Sequence, residues 1–270
     1  MKSAPFSVLC PRDLDELTNL LGRHSEDARI LAGGQTLIPM LAMRVATPKI
    51  LIDINQITNF PGVMRKGPYL EVGALVRHAE LGRFMTAHPH HLLSQMAPWI
   101  AHTAIRNRGT VCGSICHADP SAEWVLALLM LDGYVDLISH KKKRRVNAKD
   151  FFVGSLQTSK SSEEIVTAVG FRFETDGVQY GFSEYGYRHG DFAIVSVAVM
   201  NQGRRWTVGF GGVADVPLVF DLHDGDKAEF LGFVERLSRE LEIRGDPCAT
   251  SEYRRFLMRT QSEQALNRLA

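Results

Sequence analysis

Glycine, hydroxyl and amide groups are concentrated in two short segments, and the first has the composition of an anion-binding turn. This first glycine segment, residues 32–37, reads Ala-Gly-Gly-Gln-Thr-Leu. Glycine lets backbone amides approach a phosphate closely, and a helix that starts after such a turn presents N–H groups without a partner in the helix. Thr36 adds a hydroxyl donor. The segment predicts a cradle for a diphosphate; a tight turn without a ligand is the alternative.

The first glycine segment matches neither of the common nucleotide-binding fingerprints. It lacks the G-x-G-x-x-G spacing of dinucleotide-binding folds. No Gly-Lys-Ser/Thr follows it, as one would in a Walker loop. A diphosphate cradle of another kind is the remaining functional interpretation.

The second glycine segment, residues 106–123, places hydroxyl and amide groups between two arginines and two carboxylates. Thr110, Ser114 and backbone amides could hold phosphate. Asp119 and Glu123 could accept hydrogen bonds from sugar or ribityl hydroxyls. Two amide-rich segments of this kind suit a long ligand with a central diphosphate, clamped between subdomains.

Two other interpretations apply to parts of the second glycine segment. Asp119-Pro120-Ser121 is also typical of helix entry, with Asp119 as the N-cap and proline in the first turn. Cys112 and Cys116, followed by His117, have the spacing of a metal clip. A zinc or iron–sulfur site needs about four ligands, and no second pair supplies them. We therefore expect no metal on this chain and interpret both cysteines as small side chains of a loop.

The elements around the first glycine segment predict a βαβ unit. Residues 29–32 form a short apolar strand that ends at the glycines, residues 36–44 have helical apolar spacing, and residues 50–54 form a second strand. Such a unit is parallel and right-handed. A helix over residues 13–22 precedes it, with Asp13 and Glu16 at capping-box spacing and Gly22 as its end.

Periodicity predicts the remaining elements and an α+β fold. We place a boundary near residue 176 because the composition then changes to an antiparallel strand meander followed by helices. Domain 1–176 divides into subdomains 1–57 and 58–176, and domain 177–270 follows. The further predicted strands are residues 69–74, 134–139, 145–152, 165–173, 193–200 and 205–210, and the further predicted helices are residues 80–87, 121–131, 226–243 and 251–269.

Composition excludes several classes of protein. The 270 residues carry 31 basic and 30 acidic side chains, a net charge of +1, so no global field attracts nucleic acid or an anionic membrane. Apolar runs fall short of the roughly 20 residues that a bilayer crossing needs. The start shows no secretory signal, and four cysteines are too few for a disulfide scaffold. We expect a cytoplasmic protein with reduced thiols.

Three charged or histidine-rich motifs also have simple structural interpretations. The basic run at residues 140–145 is interpreted as a solvated hairpin turn, with docking of a partner subunit left open. His88-Pro89-His90-His91 is interpreted as an exposed loop rather than a metal site. Arg188-His189-Gly190-Asp191 is interpreted as a salt-bridged turn rather than a direct cofactor contact.

In three stretches the chain resembles the FAD-binding medium subunit of molybdenum hydroxylases, the xanthine dehydrogenase and carbon monoxide dehydrogenase family with its PCMH-type FAD domain. The stretches are AGGQTLIPMLAMR at 32–44, IRNRGTVCGSICHADPSAE at 105–123 and RHGDFAIVSVAV at 188–199, with a weaker match at 251–255. They lie in order across nearly the whole chain. The resemblance implies that residues 1–176 form the FAD domain and residues 177–270 the C-terminal domain of such a subunit.

The resemblance also implies which residues contact a noncovalent FAD. The diphosphate is lined on one side by Ala32, Gly33, Gly34, Gln35, Thr36, Leu37 and Ile38, and on the other by Gly109, Thr110, Gly113, Ser114, Cys116 and His117. The flavin ring lies near Ile100 and Ala101, the ribityl chain or ring edge near Asp119, Ala122 and Glu123, and the adenine side or ring wall near Val166. The family commonly has Thr-x-Gly-Gly in this segment, and Cys112 takes the position of the first glycine. A side chain there excludes backbone conformations that only glycine adopts easily, so the substitution bears on the local backbone geometry rather than on the presence of FAD.

By the same resemblance the chain is the electron-transfer subunit of a heterotrimeric oxidoreductase. A large partner subunit would hold molybdopterin, and a small one two [2Fe–2S] clusters, for which this chain has no cysteine set. Electrons would pass through FAD to NAD+, oxygen or a quinone. One alternative is a self-contained flavoenzyme on the same fold, and another is a flavin-free interaction module.

Overall fold

The computed structural model describes residues 2–270, and its first unit is a parallel three-stranded sheet with two helices. Strand β3 lies between β1 and β2 and runs parallel to both, with Ala28 opposite Ile50. The βαβ unit predicted around the first glycine segment is therefore confirmed. The elements are β1 (Ser7–Leu9), α1 (Leu14–His24), β2 (Ala28–Leu31), α2 (Leu37–Ala42) and β3 (Ile50–Asp53).

The two helices of this unit differ in detail from the prediction. Helix α1 continues past Gly22 to His24, so Gly22 does not end it. The Asp13 carboxylate accepts from Glu16 N at 2.8 Å, whereas the Glu16 carboxylate accepts from Arg12 N at 2.9 Å. In a capping box the Glu16 carboxylate would accept from the backbone N–H of the N-cap residue, Asp13, whereas here it accepts from the residue before it. Helix α2 is shorter than expected, with Thr36 as its N-cap residue.

The middle unit is a five-stranded antiparallel sheet with helices packed against it. Its strand order is β4-β5-β10-β6-β7, and β8 and β9 form a separate hairpin. Helix α7 is buried on nearly all sides, as its apolar composition predicts. The elements are β4 (Val63–Lys66), β5 (Tyr69–Gly73), α3 (His78–Met85), α4 (Leu92–Met96), α5 (Thr103–Arg106), α6 (Val111–His117), α7 (Glu123–Met130), β6 (Tyr134–Ile138), β7 (Lys143–Asn147), α8 (Ala148–Phe151), β8 (Phe152–Gly154), β9 (Gln157–Thr158) and β10 (Ile165–Arg172).

The basic run at residues 140–145 lies in the β6–β7 hairpin, as predicted. Arg144 Nε is 2.7 Å from Glu164 Oε1, and Arg145 Nε is 2.7 Å from Asp136 Oδ1. The Arg145 guanidinium also lies 3.4 Å from the centre of the Tyr134 ring. Two basic side chains of this run are thus engaged in ion pairs that stabilise the hairpin and its surroundings. The strand predicted over residues 145–152 is interrupted by α8, which begins where Ala148 N donates to Gly133 O.

The histidine motif at residues 88–91 is only partly exposed, which corrects the prediction of an exposed loop. His91 is buried and is the N-cap residue of α4, where its Nδ1 accepts from Leu93 N at 3.2 Å. Burial, and then His88, lower the pKa of His91 to about 3. His91 is therefore a neutral core residue at pH 7.

The C-terminal unit is an antiparallel meander covered by helices on both faces. Strands β11 to β14 are neighbours in chain order. Helices α9 and α10 bury one face, and α7 of the middle unit packs against the other. The α+β fold is thus confirmed. The elements are β11 (Gln179–Tyr185), β12 (Val195–Gln202), β13 (Arg205–Gly211), β14 (Leu218–Leu222), α9 (Lys227–Glu240) and α10 (Ser251–Leu266).

Two sequence-level expectations concern the chain as a whole. The domain boundary near residue 176 falls in the connection between β10 and β11, and as a division into domains it stays a prediction. Over residues 2–270, no helix combines the length and the apolar character that crossing a lipid bilayer requires.

Candidate functional site

The two glycine segments touch each other where Gly33 meets the backbone of the second segment. A β-carbon on Gly33 would lie 2.6 Å from Arg108 O, 2.7 Å from Gly109 Cα and 2.9 Å from Thr110 N. Such distances are shorter than van der Waals contact, so only glycine allows this approach. The structure thus brings together the two segments that were predicted to hold one diphosphate.

Asn55 and Arg77 connect the same two segments through hydrogen bonds. Asn55 Nδ2 donates to Ala32 O at 2.9 Å, and Arg77 Nη2 donates to Asn55 Oδ1 at 2.7 Å. The other guanidinium nitrogen of Arg77 donates to Arg108 O. Neither Asn55 nor Arg77 was predicted as a site residue. Together they fix the distance between the segments and leave the Arg77 cation beside them.

The His78 ring packs against Gly109 of the second glycine segment. His78 N donates to Gly109 O at 3.0 Å, and a β-carbon on Gly109 would lie 2.8 Å from His78 Cδ2 and Nε2. His78 Nδ1 accepts from Trp124 Nε1 at 2.9 Å. Burial first, then Arg106 and Arg77, lower the pKa of His78 to about 4. The ring is therefore neutral at pH 7 and carries its proton on Nε2, beside Gly109.

The rest of the first glycine segment faces solvent. Gly34 has φ +73°, a conformation that favours glycine. Gln35 Nε2 donates to Gly33 O at 3.2 Å, and the Thr36 hydroxyl makes no cap bond to α2. Leu37 is half-buried and Ile38 is exposed. The segment therefore offers a free hydroxyl and apolar surface beside a glycine turn.

Much of the second glycine segment is helical, although it was expected to be a loop. Thr110 is the N-cap residue of α6, and its Oγ1 accepts from Gly113 N at 3.1 Å. Val111 N donates to Val76 O and Ser114 N to Thr110 O. These amides serve the local structure, so fewer remain for a phosphate than predicted. Gly113 is the exposed residue of α6, and Ser114, Cys116 and His117 are half-buried.

Cys112 fits the site because its backbone is helical. As a residue inside α6 it needs no glycine-specific conformation, and its buried Sγ lies 3.5 Å from Val72 O. Burial raises the pKa of Cys112 well above its ordinary value and that of Cys116 to about 11. Both thiols are therefore protonated at pH 7, a form that neither binds metal nor attacks an electrophile well.

The carboxylates after α6 lie at the entry of α7. Asp119 Oδ1 accepts from Ser121 N at 2.8 Å, whereas the N-cap residue of α7 is Ala122. The cap therefore lies three residues after Asp119, and the helix begins at Glu123 rather than at residue 121. Glu123 is the first residue of α7 and is buried. Burial, and then Asp119, raise the pKa of Glu123 to about 7.

The predicted wall of the flavin ring is held by one arginine and covered by the C-terminal unit. Arg106 Nη1 donates to Ile100 O at 2.8 Å and to Ala101 O at 2.5 Å. A β-carbon on Gly190, which has φ +89°, would lie 3.0 Å from the Ala101 carbonyl. The 188–191 turn therefore packs against this wall. Over residues 2–270 neither Arg188 nor Asp191 forms an ion pair. The prediction of a salt-bridged turn is therefore wrong.

Val166 is a predicted site residue that lies inside the apolar core. It is buried in β10 opposite Leu137 and belongs to the apolar core of the middle unit. Its predicted contact with the cofactor stays a prediction. Asn55, Arg77 and His78 are the neighbours that sequence reasoning missed. Asn55 could have been found from the sequence. It comes just after β3, the first glycine segment comes just after β2, and these two parallel strands end at the same edge of the sheet.

Comparisons with known proteins identify the family of this chain. The family described as FAD binding domain in molybdopterin dehydrogenase matches residues 4–171. The nicotine 6-hydroxylase medium subunit of Paenarthrobacter nicotinovorans is 35% identical over 74% of this chain and 70% of the relative. The caffeine dehydrogenase subunit beta of Pseudomonas sp. strain CBB1 is 34% identical over 74% of this chain and 68% of the relative.

Two solved structures have the same fold over their whole length. Carbon monoxide dehydrogenase from Hydrogenophaga pseudoflava superposes with a TM-score of 0.90, at 25% identity and 100% coverage of both chains. Quinoline 2-oxidoreductase from Pseudomonas putida 86 superposes with a TM-score of 0.89, at 29% identity, covering 99% of this chain and 97% of the other. The resemblance stated from the three sequence stretches is thereby confirmed. The chain belongs to the family of FAD-binding medium subunits of molybdopterin dehydrogenases, which are subunits of oxidoreductase complexes.

Proposed function

We propose that the chain holds a noncovalent FAD across the contact between the two glycine segments and passes electrons through it. The observation that carries this proposal is the approach of Gly33 to Gly109, which brings the two glycine segments, from the first and the middle units of the fold, to one place. A ligand with a central diphosphate fits such a junction, because each turn can contact a different part of it. FAD supplies one- and two-electron chemistry when it is bound.

The residues of the chain have separate roles in this site. Gly33 and Gly34 shape the first turn, and the hydroxyls of Thr36 and Ser114 are donors to phosphate. The Arg77 cation lies beside both turns and offsets part of the diphosphate charge. Ile100 and Ala101 form the apolar wall, supported by Arg106.

The other residues predicted to contact FAD are retained in this proposal. Asp119, Ala122 and Glu123 lie at one end of the site, and Cys116 and His117 line its edge. We also retain the division into an FAD domain, residues 1–176 with subdomains 1–57 and 58–176, and a C-terminal domain, residues 177–270.

We further propose that this subunit works in a heterotrimer. Several relatives carry names of subunits of multi-subunit complexes, such as the alpha subunit of the 6-hydroxypseudooxynicotine dehydrogenase complex. A small partner subunit with [2Fe–2S] clusters would deliver electrons, and a large molybdopterin subunit would hydroxylate the organic substrate. NAD+, oxygen or a quinone would accept the electrons from this chain.

Removal of FAD from the co-expressed complex tests the electron pathway. We expect substrate to reduce the clusters of the FAD-depleted complex, while reduction of the external acceptor stops and returns when FAD is added. Acceptor reduction that continues without FAD would contradict the pathway. Substrate turnover by the isolated chain would favour the self-contained flavoenzyme.

A further inference from the structure

The His78 side chain lies at the contact between the two glycine segments with one edge of its ring turned towards that contact. His78 is 7% exposed. A β-carbon on Gly109 would lie 2.8 Å from both Cδ2 and Nε2 of the His78 ring, and a β-carbon on Gly33 would lie 2.7 Å from Gly109 Cα. The edge of the ring that carries Nε2 is therefore separated from the first glycine segment only by Gly109, which has no side chain to cover it.

The hydrogen bond from Trp124 determines which nitrogen of the His78 ring carries the proton. An indole N–H can only donate, and His78 Nδ1 accepts from Trp124 Nε1 at 2.9 Å. A ring nitrogen that accepts a hydrogen bond carries no proton, so the ring is neutral and its proton is on Nε2. The lowered pKa of His78 agrees with a neutral ring. His78 thus presents a fixed N–H group beside Gly109.

This N–H group has no acceptor in the protein. Within residues 2–270, His78 Nε2 forms no hydrogen bond, in contrast to Nδ1 of the same ring. It is also not among the ring nitrogens that are enclosed without a partner, as His91 Nε2 is. The Nε2–H group of His78 is therefore accessible, although the rest of the ring is buried. Such a donor is available to an acceptor from outside the chain.

The charges around His78 favour a negatively charged acceptor. Arg77 donates to Asn55 Oδ1 and Arg108 O, and Arg106 donates to backbone carbonyls, so both guanidiniums are bonded to uncharged groups. Both lie close enough to lower the pKa of His78, after burial. His78 is also the first residue of α3, at the end of the helix that carries partial positive charge. An anionic oxygen is the acceptor that fits these surroundings.

We propose that His78 is a binding residue of the cofactor site and donates a hydrogen bond from Nε2 to a phosphoryl oxygen of the diphosphate. The inference rests on the proposed function, because the diphosphate is that of the FAD placed between the two glycine segments. Trp124 is then a positioning residue, since its indole keeps the proton of His78 on Nε2. Gly109 leaves the donor uncovered, which a side chain at that position would not.

The first test observes the N–H group itself, in the full chain labelled with 15N-histidine. Two-bond 1H–15N correlation spectra distinguish the two ring nitrogens, and loss of a signal in His78→Gln identifies it. We expect the proton of the free chain to be on Nε2. On addition of FAD or saturating ADP, that proton should exchange more slowly with water and shift downfield, whereas adenosine, which has no phosphate, should leave it unchanged.

Three results of this test would overturn the proposal. The first is a proton on Nδ1 in the free chain. The second is an Nε2–H signal that does not change when FAD binds. The third is a response to FAD but not to ADP, which would place the acceptor outside the diphosphate. If the chain bound no FAD, the proposed function itself would fail, and this inference with it.

The second test separates the donor from the structural role of the ring, through the FAD dissociation constant. Trp124→Phe removes the indole partner, and His78→Phe in that background removes the ring nitrogens without leaving a buried donor unpaired. We expect the double variant to bind FAD about tenfold more weakly than Trp124→Phe, as the loss of a hydrogen bond to a charged group predicts. Equal dissociation constants for these two variants would overturn the proposal.

His78→Gln is the conservative variant for the same measurement. Its amide keeps an N–H donor for the ligand and an oxygen acceptor for the Trp124 indole. We expect its FAD dissociation constant to stay within about threefold of the wild type, because both hydrogen bonds can be retained. A loss of affinity in His78→Gln as large as that in the double variant would show that the shape of the ring, and not its N–H group, is what the site requires.

Discussion

Trp124 Nε1 donates a hydrogen bond of 2.9 Å to His78 Nδ1, and the other edge of that imidazole lies against Gly109. Gly109 in turn contacts Gly33, so four residues connect α7 to the first glycine segment. The glycines allow the close approach, and the two aromatic rings hold it in place. Affinity for a cofactor at this junction should therefore depend on residues behind the site as well as on those that face it.

Substitution of Gly33 by alanine tests the contact between the segments. The new β-carbon would lie 2.6 Å from Arg108 O, which forces the segments apart. We expect FAD affinity to fall at least about tenfold and the free energy of unfolding to fall by about 1–3 kcal/mol, as for overpacked cores. Fluorescence titration with FAD and denaturant unfolding measure these quantities.

Gly22→Ala is the matched control for Gly33→Ala. Gly22 lies inside α1, and a β-carbon added there would meet nothing within 4 Å beyond its own helix backbone. We expect this variant to be more stable by about 0.5–1 kcal/mol, because alanine favours helix, and to keep its FAD affinity. Equal affinity in Gly33→Ala and the wild type would show that the contact does not shape the cofactor site.

Substitution of Arg77 by glutamine tests the bridge between the segments. The change removes the charge-assisted bonds to Asn55 Oδ1 and Arg108 O. We expect FAD affinity to fall by about tenfold, with a weaker dependence on salt because a cation is lost. The exposed Arg83 on α3 supplies the control Arg83→Gln, which should bind FAD as the wild type does. An equal effect of both substitutions would contradict a specific role for Arg77.

Substitution of Trp124 by phenylalanine tests the support behind Gly109. His78 Nδ1 would lose its donor while remaining buried, which destabilises the chain by about 1–3 kcal/mol. FAD affinity should fall as well. Trp206→Phe is the control, since it removes an indole bond of the same length to Gly225 O, far along the chain in the C-terminal sheet. It should lower stability without changing affinity; a parallel loss of affinity in both variants would indicate a global effect.

His91 gives a prediction about the pH dependence of stability. Its pKa is about 3 in the folded chain and about 6.5 when unfolded, so the unfolded chain binds more protons between these values. The free energy of unfolding therefore falls as pH falls from about 6.5 towards 3. His91→Asn keeps an N-cap acceptor but removes the titration, and should flatten this decline by at most about 1.4 kcal/mol per pH unit.

The exposed neighbour supplies the control for that measurement. His90→Asn changes a residue that faces solvent, and it should leave the pH profile of unfolding unchanged. Urea unfolding at several pH values compares the three proteins. Identical slopes for His91→Asn and the wild type would mean that His91 does not stay neutral in the fold.

Regular patterning explains which parts of the fold the sequence could predict. The βαβ unit and α7 follow from continuous apolar patterns, and both are present. Helix α6 was missed because Cys112, Gly113 and Ser114 have weak helix propensity and no clear apolar period. Its order depends on the Thr110 cap and on burial of Ile115, and burial is a tertiary effect.

The site was predictable where glycine and hydroxyl residues cluster in the sequence, and not where distant residues meet. Gly33 and Gly109 were both predicted, but nothing in either segment shows that they touch. Arg77 and His78 act through bonds to residues 22 or more positions away, so local composition carries no signal of them.

The measurement that tests the central claim most directly is the visible spectrum of the purified chain, followed by acid release of any flavin. We predict flavin bands and release of unmodified FAD, either as purified or after FAD is added to the chain. Flavin that stays attached after acid would contradict the noncovalent site. No flavin in the chain, none taken up on addition, and none in this subunit of the co-expressed complex would contradict the claim that the two glycine segments hold FAD.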